Sequence, residues 1–244
     1  MATIVRGQRM PFGPIVNDVS GPATTHKQVG GEGVCRWKML MNGMHLEGEW
    51  NCVEYVVIEP GASVGEHVHM RTEEIYYIVS GRAVVTMNDV KLDAQPGDLI
   101  TTPIGAAHSI ANEGTEDMHF FVIEVFPGEG PAAEPAQVHV PDLLGAVDGL
   151  RRADVDLAPH FTGDWRRFSL VELPGGGSLA ETTSAESTEV LHVLTGSAEF
   201  VVDGRTYTGQ AGLSVAVPPQ IPWSVVNTDG TAPLSLISTQ VDVR

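Results

Sequence analysis

Apolar residues along this chain fall in short runs: "CVEYVVIE" at 52–59, "EIYYIVSG" at 74–81, "AVVTM" at 83–87, "HFFVIEVF" at 119–126, "EVLHVLTG" at 189–196, "AEFVV" at 198–202 and "LSVAV" at 213–217. Gly, Pro and Asn/Asp punctuate them at close intervals. Runs of this length and spacing predict antiparallel strands of an all-β sandwich or barrel, and no long amphipathic helical period competes with them. The first 45 residues are harder to place and are expected to add edge strands.

One register repeats. Adding 115 takes Gly48 to Gly163, Trp50 to Trp165, Gly61 to Gly176, Glu74 to Glu189, Gly81 to Gly196, Gly97 to Gly212, Pro103 to Pro218 and Asn112 to Asn227, without a gap. Two copies of one supersecondary unit explain this. The chain therefore divides into 1–126, a linker at 127–150 and 151–244. The linker opens with "PGEGPAAEPAQ", rich in Pro, Gly and Ala, and "PDLLGAVDGLRRA" after it is expected to form a short helix.

Composition narrows the partners. The 244 residues carry 14 Lys and Arg against 31 Asp and Glu, a formal net charge of −17. Phosphate binding needs a basic surface, so nucleic acid is excluded as a partner, and anionic membranes are disfavoured. The excess of acid is most simply a solvated surface. The opening "MATIVRGQRMPFGPIV" lacks the apolar core of a secretory signal, and no window reaches the roughly 18 apolar residues of a spanning helix. A cytoplasmic protein is expected. Cys35 and Cys52 are too few for a disulfide framework and are expected to be reduced thiols.

Chemistry concentrates in "PGASVGEHVHMRTEEIYYIVSG", residues 60–81. Strand positions i and i+2 share a face, so His67 and His69 project together. Glu74, Tyr76 and Ile78 share a face of the next strand while Tyr77 takes the other. In "PGDLITTPIGAAHSIAN", His108, Ile110 and Asn112 again share a face. If those faces line one barrel, three imidazoles and a carboxylate converge. Three N donors and one O donor suit a divalent transition metal, whereas Ca²⁺ or Mg²⁺ would want oxygens. Tyr76, Ile78 and Ile110 would wall the substrate pocket.

These residues resemble the cupin superfamily. Its first motif, G-x5-H-x-H-x4-E-x6-G, is matched by Gly61, His67, His69, Glu74 and Gly81; its second, G-x5-P-x-G-x2-H-x3-N, by Gly97, Pro103, Gly105, His108 and Asn112. The resemblance implies His67, His69, Glu74 and His108 as metal ligands, and selects Glu74 over Glu73. In the second copy Thr182 and Ser184 stand for the first-motif histidines, Trp223 for His108 and Gln220 for Gly105, with Glu189 alone kept from the ligand set. A bicupin is implied: two double-stranded β-helix (jelly-roll) barrels in tandem, the first metal-binding and the second degenerate and metal-free. Bicupins pack their barrels into one unit, and the resemblance leaves room for a homodimer through sheet edges.

Other residues have plainer readings. Glu189 is read as left over from a decayed site and hydrogen-bonded to Thr182 or Ser184, and Trp223 as filling the vacated space. Tyr76 is read as pocket wall. Glu54 and Tyr55 point to opposite faces, and either could reach the pocket. His119 and His139 have no motif support. His192, out of phase with Leu191 and Val193, is expected to face outward. Met39, Met41 and Met44 read as a packing stripe.

The resemblance spans oxygenases, isomerases, cyclases and non-catalytic binders, and fold alone does not choose among them. The leading expectation is a metal-dependent enzyme acting on a small, partly apolar organic molecule. Family prevalence favours Fe(II) and a dioxygenase; Mn, Ni, Cu and Zn remain open. The alternatives are a Lewis-acid cyclase or isomerase of natural-product biosynthesis and a small-ligand-binding cupin. No DNA-binding helical module is seen, an intact ligand set argues against seed-storage use, and the catalytic residues are not identified from sequence.

Overall fold

The apolar runs become strands of four antiparallel sheets in a computed structural model, which describes residues 13–244. The reading of residues 1–12 as part of a leaderless start lies outside the described residues. In the first half a seven-stranded sheet runs, in spatial order, Ala136–His139, Asp98–Thr102, Glu73–Ser80, Met118–Val125, Trp50–Ile58, Val34–Asn42 and Ala23–His26. A four-stranded sheet of Ser63–Val68, Ala107–Ala111, Ala83–Met87 and Val90–Ala94 accompanies it. Val56, Ile78 and Phe120 of the long sheet and Val85 and Ile110 of the short one share one buried cluster, which makes the pair a sandwich closed over its own core.

The second half repeats the plan. Its long sheet runs Ile15–Asn17, Ser214–Val217, Ser187–Thr195, Leu234–Asp242, Trp165–Leu173, Leu150–Asp156 and Gly145–Val147. Its short sheet holds Ser178–Thr182, Trp223–Asn227, Ser197–Val202 and Arg205–Gln210. The shared register has a physical basis. Asn112 Nδ2 donates to the Ile58 and Glu116 carbonyls, and Asn227 Nδ2 to those of Leu173, Pro174 and Ala232. Each asparagine staples the loop leaving its short sheet. Gly81 and Gly196 turn with φ of 81° and 88°. A Cβ at Gly81 would stand 2.8 Å from the Met118 Cα.

Parity along the strands sends alternate residues to a second core between the two long sheets. Tyr77, Phe121 and Ile123 of the first half meet Phe168, Leu170, Val190 and Ile237 of the second. Each such side chain stabilises the fold by about 1.5–3 kcal/mol through burial. The Tyr77 and Phe168 rings lie 5.1 Å apart.

Each long sheet also takes an edge strand from outside its own half. Ile15–Asn17, at the start of the chain, pairs with Ser214–Val217 of the second sheet, while Ala136–His139 pairs with Asp98–Thr102 of the first. The edge strands expected from the first 45 residues are therefore Ile15–Asn17 on the far sheet and Ala23–His26 on the near one.

The helix expected from "PDLLGAVDGLRRA" is replaced by a 3₁₀ turn, Val140–Leu143, and a hairpin of Gly145–Val147 and Leu150–Asp156. Asp148 and Gly149 both take positive φ, the Asp-Gly turn that matches strand twist, and this local signal outweighs the apolar spacing. Cys35 and Cys52 are both buried free thiols. Among the described residues no helix is long and apolar enough to cross a membrane.

Candidate metal centre

The two histidine-bearing segments are neighbours in the short sheet of the first barrel. Ala107–Ala111 pairs antiparallel with Ser63–Val68, which sets His108 directly opposite His67. His69 follows the strand end and is held by its N–H on the Ala106 carbonyl and its carbonyl on the Gly105 N–H. The His108 ring centroid lies 4.5 Å from that of His67 and 4.7 Å from that of His69. The three imidazoles form the cluster capable of holding a metal ion.

Each outer nitrogen meets a hydrogen-bond partner. His67 Nδ1 lies 2.9 Å from the Gly65 carbonyl, which can only accept, so Nδ1 carries the proton and Nε2 is a bare lone pair. His69 Nδ1 meets Thr72 Oγ1 at 3.2 Å, and His108 Nδ1 meets Thr102 Oγ1 at 3.0 Å. This is the outer-shell support usual for metal-bound imidazoles. The inner nitrogens then crowd: His108 Nε2 is 3.0 Å from that of His69 and 3.1 Å from that of His67. Burial, with the neighbouring imidazoles adding to it, lowers His69 to about 4 and His108 to about 2, so both rings stay neutral.

Glu74 enters from the long sheet. Its Oε2 stands 3.2 Å from His108 Nε2 and 3.4 Å from His69 Nε2, is fully buried and makes no hydrogen bond. Burial, reinforced by Glu124 on the next strand, pushes its carboxyl well above the ordinary range. A buried carboxyl oxygen without a hydrogen-bond partner, about 3 Å from two imidazole nitrogens, completes a set of three N donors and one O donor. The residues fit one divalent transition ion.

A cleft of about 700 Å³ opens over His67, His69 and Glu74. Tyr76 lines it, stacks on His108 at 4.9 Å and brings its hydroxyl to 3.4 Å from His108 Nε2. Ile78 and Ile110, expected beside it, do not line the cleft. They lie two residues further along their strands, roughly 7 Å deeper, and are fully buried in the barrel core.

The pair left open by sequence resolves. Glu54 faces the cleft, while Tyr55 points to the inter-sheet core and bonds His119 Nδ1 at 3.2 Å. Glu54 is 6% exposed, and its Oε2 has no hydrogen-bond partner. Burial pushes its carboxyl up to about 7, opposed by a hydrogen bond from Trp37 and reinforced by Glu124. Glu124 lines the same cleft and accepts from Asn51 Nδ2 at 2.6 Å. Nothing in the sequence singles out Glu124 or Trp37. Alternation put Glu124 in phase with Phe120 and Val122, but which phase faced inward was settled only by the sheet pairing.

Two further expectations change. Of the methionine stripe only Met41 is core; Met39 and Met44 are exposed at the cleft mouth. His192 does point away from its barrel interior, yet it is buried between the sheets, its ring centroid 4.7 Å from that of Phe121 and its Nδ1 bonded to Ser214 Oγ at 2.8 Å. A second sheet covers the face that alternation marks as outward. His139 pairs with Asp98 at 2.8 Å, tying the edge strand Ala136–His139 to the first sheet.

In the second barrel Trp223 is buried in the core, and Thr182 and Glu189 line a cavity of about 80 Å³. Glu189 Oε1 accepts from Ser238 Oγ, not from Thr182 or Ser184 as expected, because Ser238 lies in the adjacent strand. Ser184 bonds Ser187 instead, at 2.6 Å.

Comparison with known proteins agrees with this architecture. The family model described as "Cupin domain" matches residues 54–124 and 169–240. The oxalate-binding protein of Thermotoga maritima is 32% identical over 94 residues, 38% of this chain and 78% of the relative. Protein Ylba from E. coli superposes with a TM-score of 0.74 at 14% identity, covering 99% of this chain and 96% of its own. Bacillus subtilis oxalate decarboxylase, in a study of its Mn(II) centres, gives 0.72 at 19% identity, covering 94% and 78%. At those identities the structural likeness shows the fold.

Proposed function

The chain belongs to the cupin family, and on that premise we propose that its first barrel is a metal-dependent enzyme site for a small, partly apolar organic molecule. His67, His69, His108 and Glu74 would hold one divalent ion. Fe(II), expected from family prevalence, and Mn(II), named for the Bacillus subtilis enzyme, both suit three imidazoles and one carboxylate. When bound, the ion supplies a Lewis acid that polarises a substrate oxygen.

The observation that carries the reading is Glu54. A nine-tenths-buried carboxyl, with one oxygen unpartnered and its pKa near 7, shares the cleft with His67, His69 and Glu74. Such a group takes or gives a proton near neutrality, where an ordinary carboxyl is already ionised. Tyr76, whose phenol burial and the Glu74 charge push upward, remains protonated and orients a ligand by donating. Trp37 and Phe126 line the cleft and hold an apolar portion. This arrangement favours the isomerase or cyclase version over the dioxygenase, which rests on the donor set alone.

The test is proton exchange. Small 1,3-dicarbonyl and 2-hydroxyketone compounds are incubated in D₂O with metal-loaded protein and followed by NMR. Wash-out of the α-proton is expected, lost by 10²-fold or more in Glu54→Gln with metal content unchanged. Oxygen uptake without wash-out would return the reading to the dioxygenase. Ligand binding without turnover would favour a second reading, a small-ligand binder, which the similarity to an oxalate-binding protein supports.

A further inference from the structure

The second barrel carries a charge where the first carries none. Trp37 pairs across its sheet with Val56, and the equivalent pair in the second barrel is Arg152 with Val171. Cys52, 115 positions before Arg167, is the other replaced residue. Where the first cleft has an indole and a thiol, the second cavity therefore has two guanidiniums, which line it with Thr182, Glu189, Trp223 and Gln240. Decay of a metal site accounts for the missing imidazoles. It does not account for two arginines in the same pocket.

The two arginines are not equivalent. Arg152 Nε donates to both oxygens of Asp154, at 2.8 and 3.0 Å, and its terminal nitrogen to Ser169 Oγ at 3.2 Å; Ser169 Oγ also donates to Asp154. Asp154 is thus held chiefly by Arg152. The Arg167 side chain makes no hydrogen bond; its buried Nε has only a longer ion pair, 3.5 Å to the same Asp154 oxygen. A charged donor left unsatisfied is costly, and an oxyanion is the acceptor whose geometry a guanidinium matches.

Glu189 shapes the rest of the ligand. Its carboxylate is 6% exposed, with one oxygen on Ser238 Oγ, and Gln240 lies beside it on the paired strand. A bare anion would meet that carboxylate unfavourably, whereas a hydroxyl or ammonium next to the carboxylate would donate to it. The cavity of about 80 Å³ equals roughly the liquid volume of two or three waters. It admits one carboxylate and its α-substituent. We propose that the second barrel is a binding site for a small carboxylate bearing a neighbouring hydrogen-bond donor, as in a 2-hydroxy or 2-amino acid, with Arg167 as its anchor. This assignment is independent of the chemistry in the first barrel.

The experiment is NMR of the arginine Nε–H groups in the full, Zn(II)-loaded chain, titrated with glycolate, glycine, acetate and sodium chloride. The Arg167 signal is assigned by its loss in Arg167→Gln, or in Arg167→Lys should the glutamine variant not fold. The expected result is a saturable shift with glycolate or glycine, at least tenfold tighter than with acetate, and retained in His67→Ala. A preference for glycolate over glycine, or the reverse, identifies the donor. No shift, or an equal drift with chloride, would overturn the proposal. A shift abolished by His67→Ala would place the carboxylate on the first barrel's metal and overturn it as well.

Discussion

Glu73 and Glu74 are adjacent in the chain, and their carboxylates serve opposite faces of one sheet. Glu74 turns into the first barrel toward His69 and His108. Glu73 turns out, is fully buried, and accepts from the Thr162 N–H and hydroxyl, the Gly163 N–H and the Trp165 indole at 2.7–3.2 Å. One carboxylate therefore ties the two halves together while its neighbour faces the imidazole cluster. Glu73→Ala is expected to cost about 3 kcal/mol or more, since four donors lose a charged acceptor, and to leave metal content unchanged. Glu74→Ala should do the reverse, losing metal with little change in the urea midpoint of the metal-free protein.

Thr102 supports the site through His108 alone, by its 3.0 Å contact with Nδ1. Thr102→Val keeps the shape and removes that partner. Competition with a chelator is expected to show metal affinity reduced by about 10–100-fold, whereas an unchanged affinity would mean that Thr102 does not orient the ring.

Glu54 ties stability to pH. Its folded pKa of about 7 lies above the ordinary 4.5, so the folded protein holds a proton that the unfolded chain releases between those values. Stability is highest below pH 4.5 on this account, falls as pH rises through 7 and is flat above. The loss amounts to about 3 kcal/mol at most. Urea unfolding of metal-free protein at pH 5 and pH 8 should show it, and Glu54→Gln should lack that part of the slope.

His192 acts in the opposite direction. Burial depresses its pKa to about 3, so it is neutral in the fold but protonates in the unfolded chain below 6.5. Its stabilising share is complete above pH 6.5 and lost as pH falls toward 3, amounting to up to a few kcal/mol. His192→Phe, placed between the rings of Tyr55 and Phe121, should flatten thermal stability across that acid range.

Much of this was legible in the sequence because alternation and repetition are strict in sheets. The 115-residue register that pairs Trp50 with Trp165 and Asn112 with Asn227 is the register of two barrels, and the placement of His67, His69 and His108 on one face is simple parity. Parity does not give depth, so Ile78 and Ile110 were read as pocket wall when they lie beneath it. Nor does it show what covers a face. His192 reads as outward until a second sheet is laid over it, and Met39 and Met44 read as core until the strand Val34–Asn42 and the 3₁₀ turn after it are found at the cleft mouth. The placing of Ile15–Asn17 on the far sheet is a long-range pairing with no local signal. Arg152 and Arg167 became a pair only when two strands were set side by side.

The central claim is that three imidazoles and Glu74 hold one metal ion in the first barrel. Elemental mass spectrometry of wild-type protein and His108→Ala, both purified anaerobically, tests it most directly. About one equivalent of a divalent transition metal per chain in the wild type, falling close to none in a folded His108→Ala, is the expected result. Wild-type protein without metal after such purification, or a variant that keeps its metal, would contradict the account.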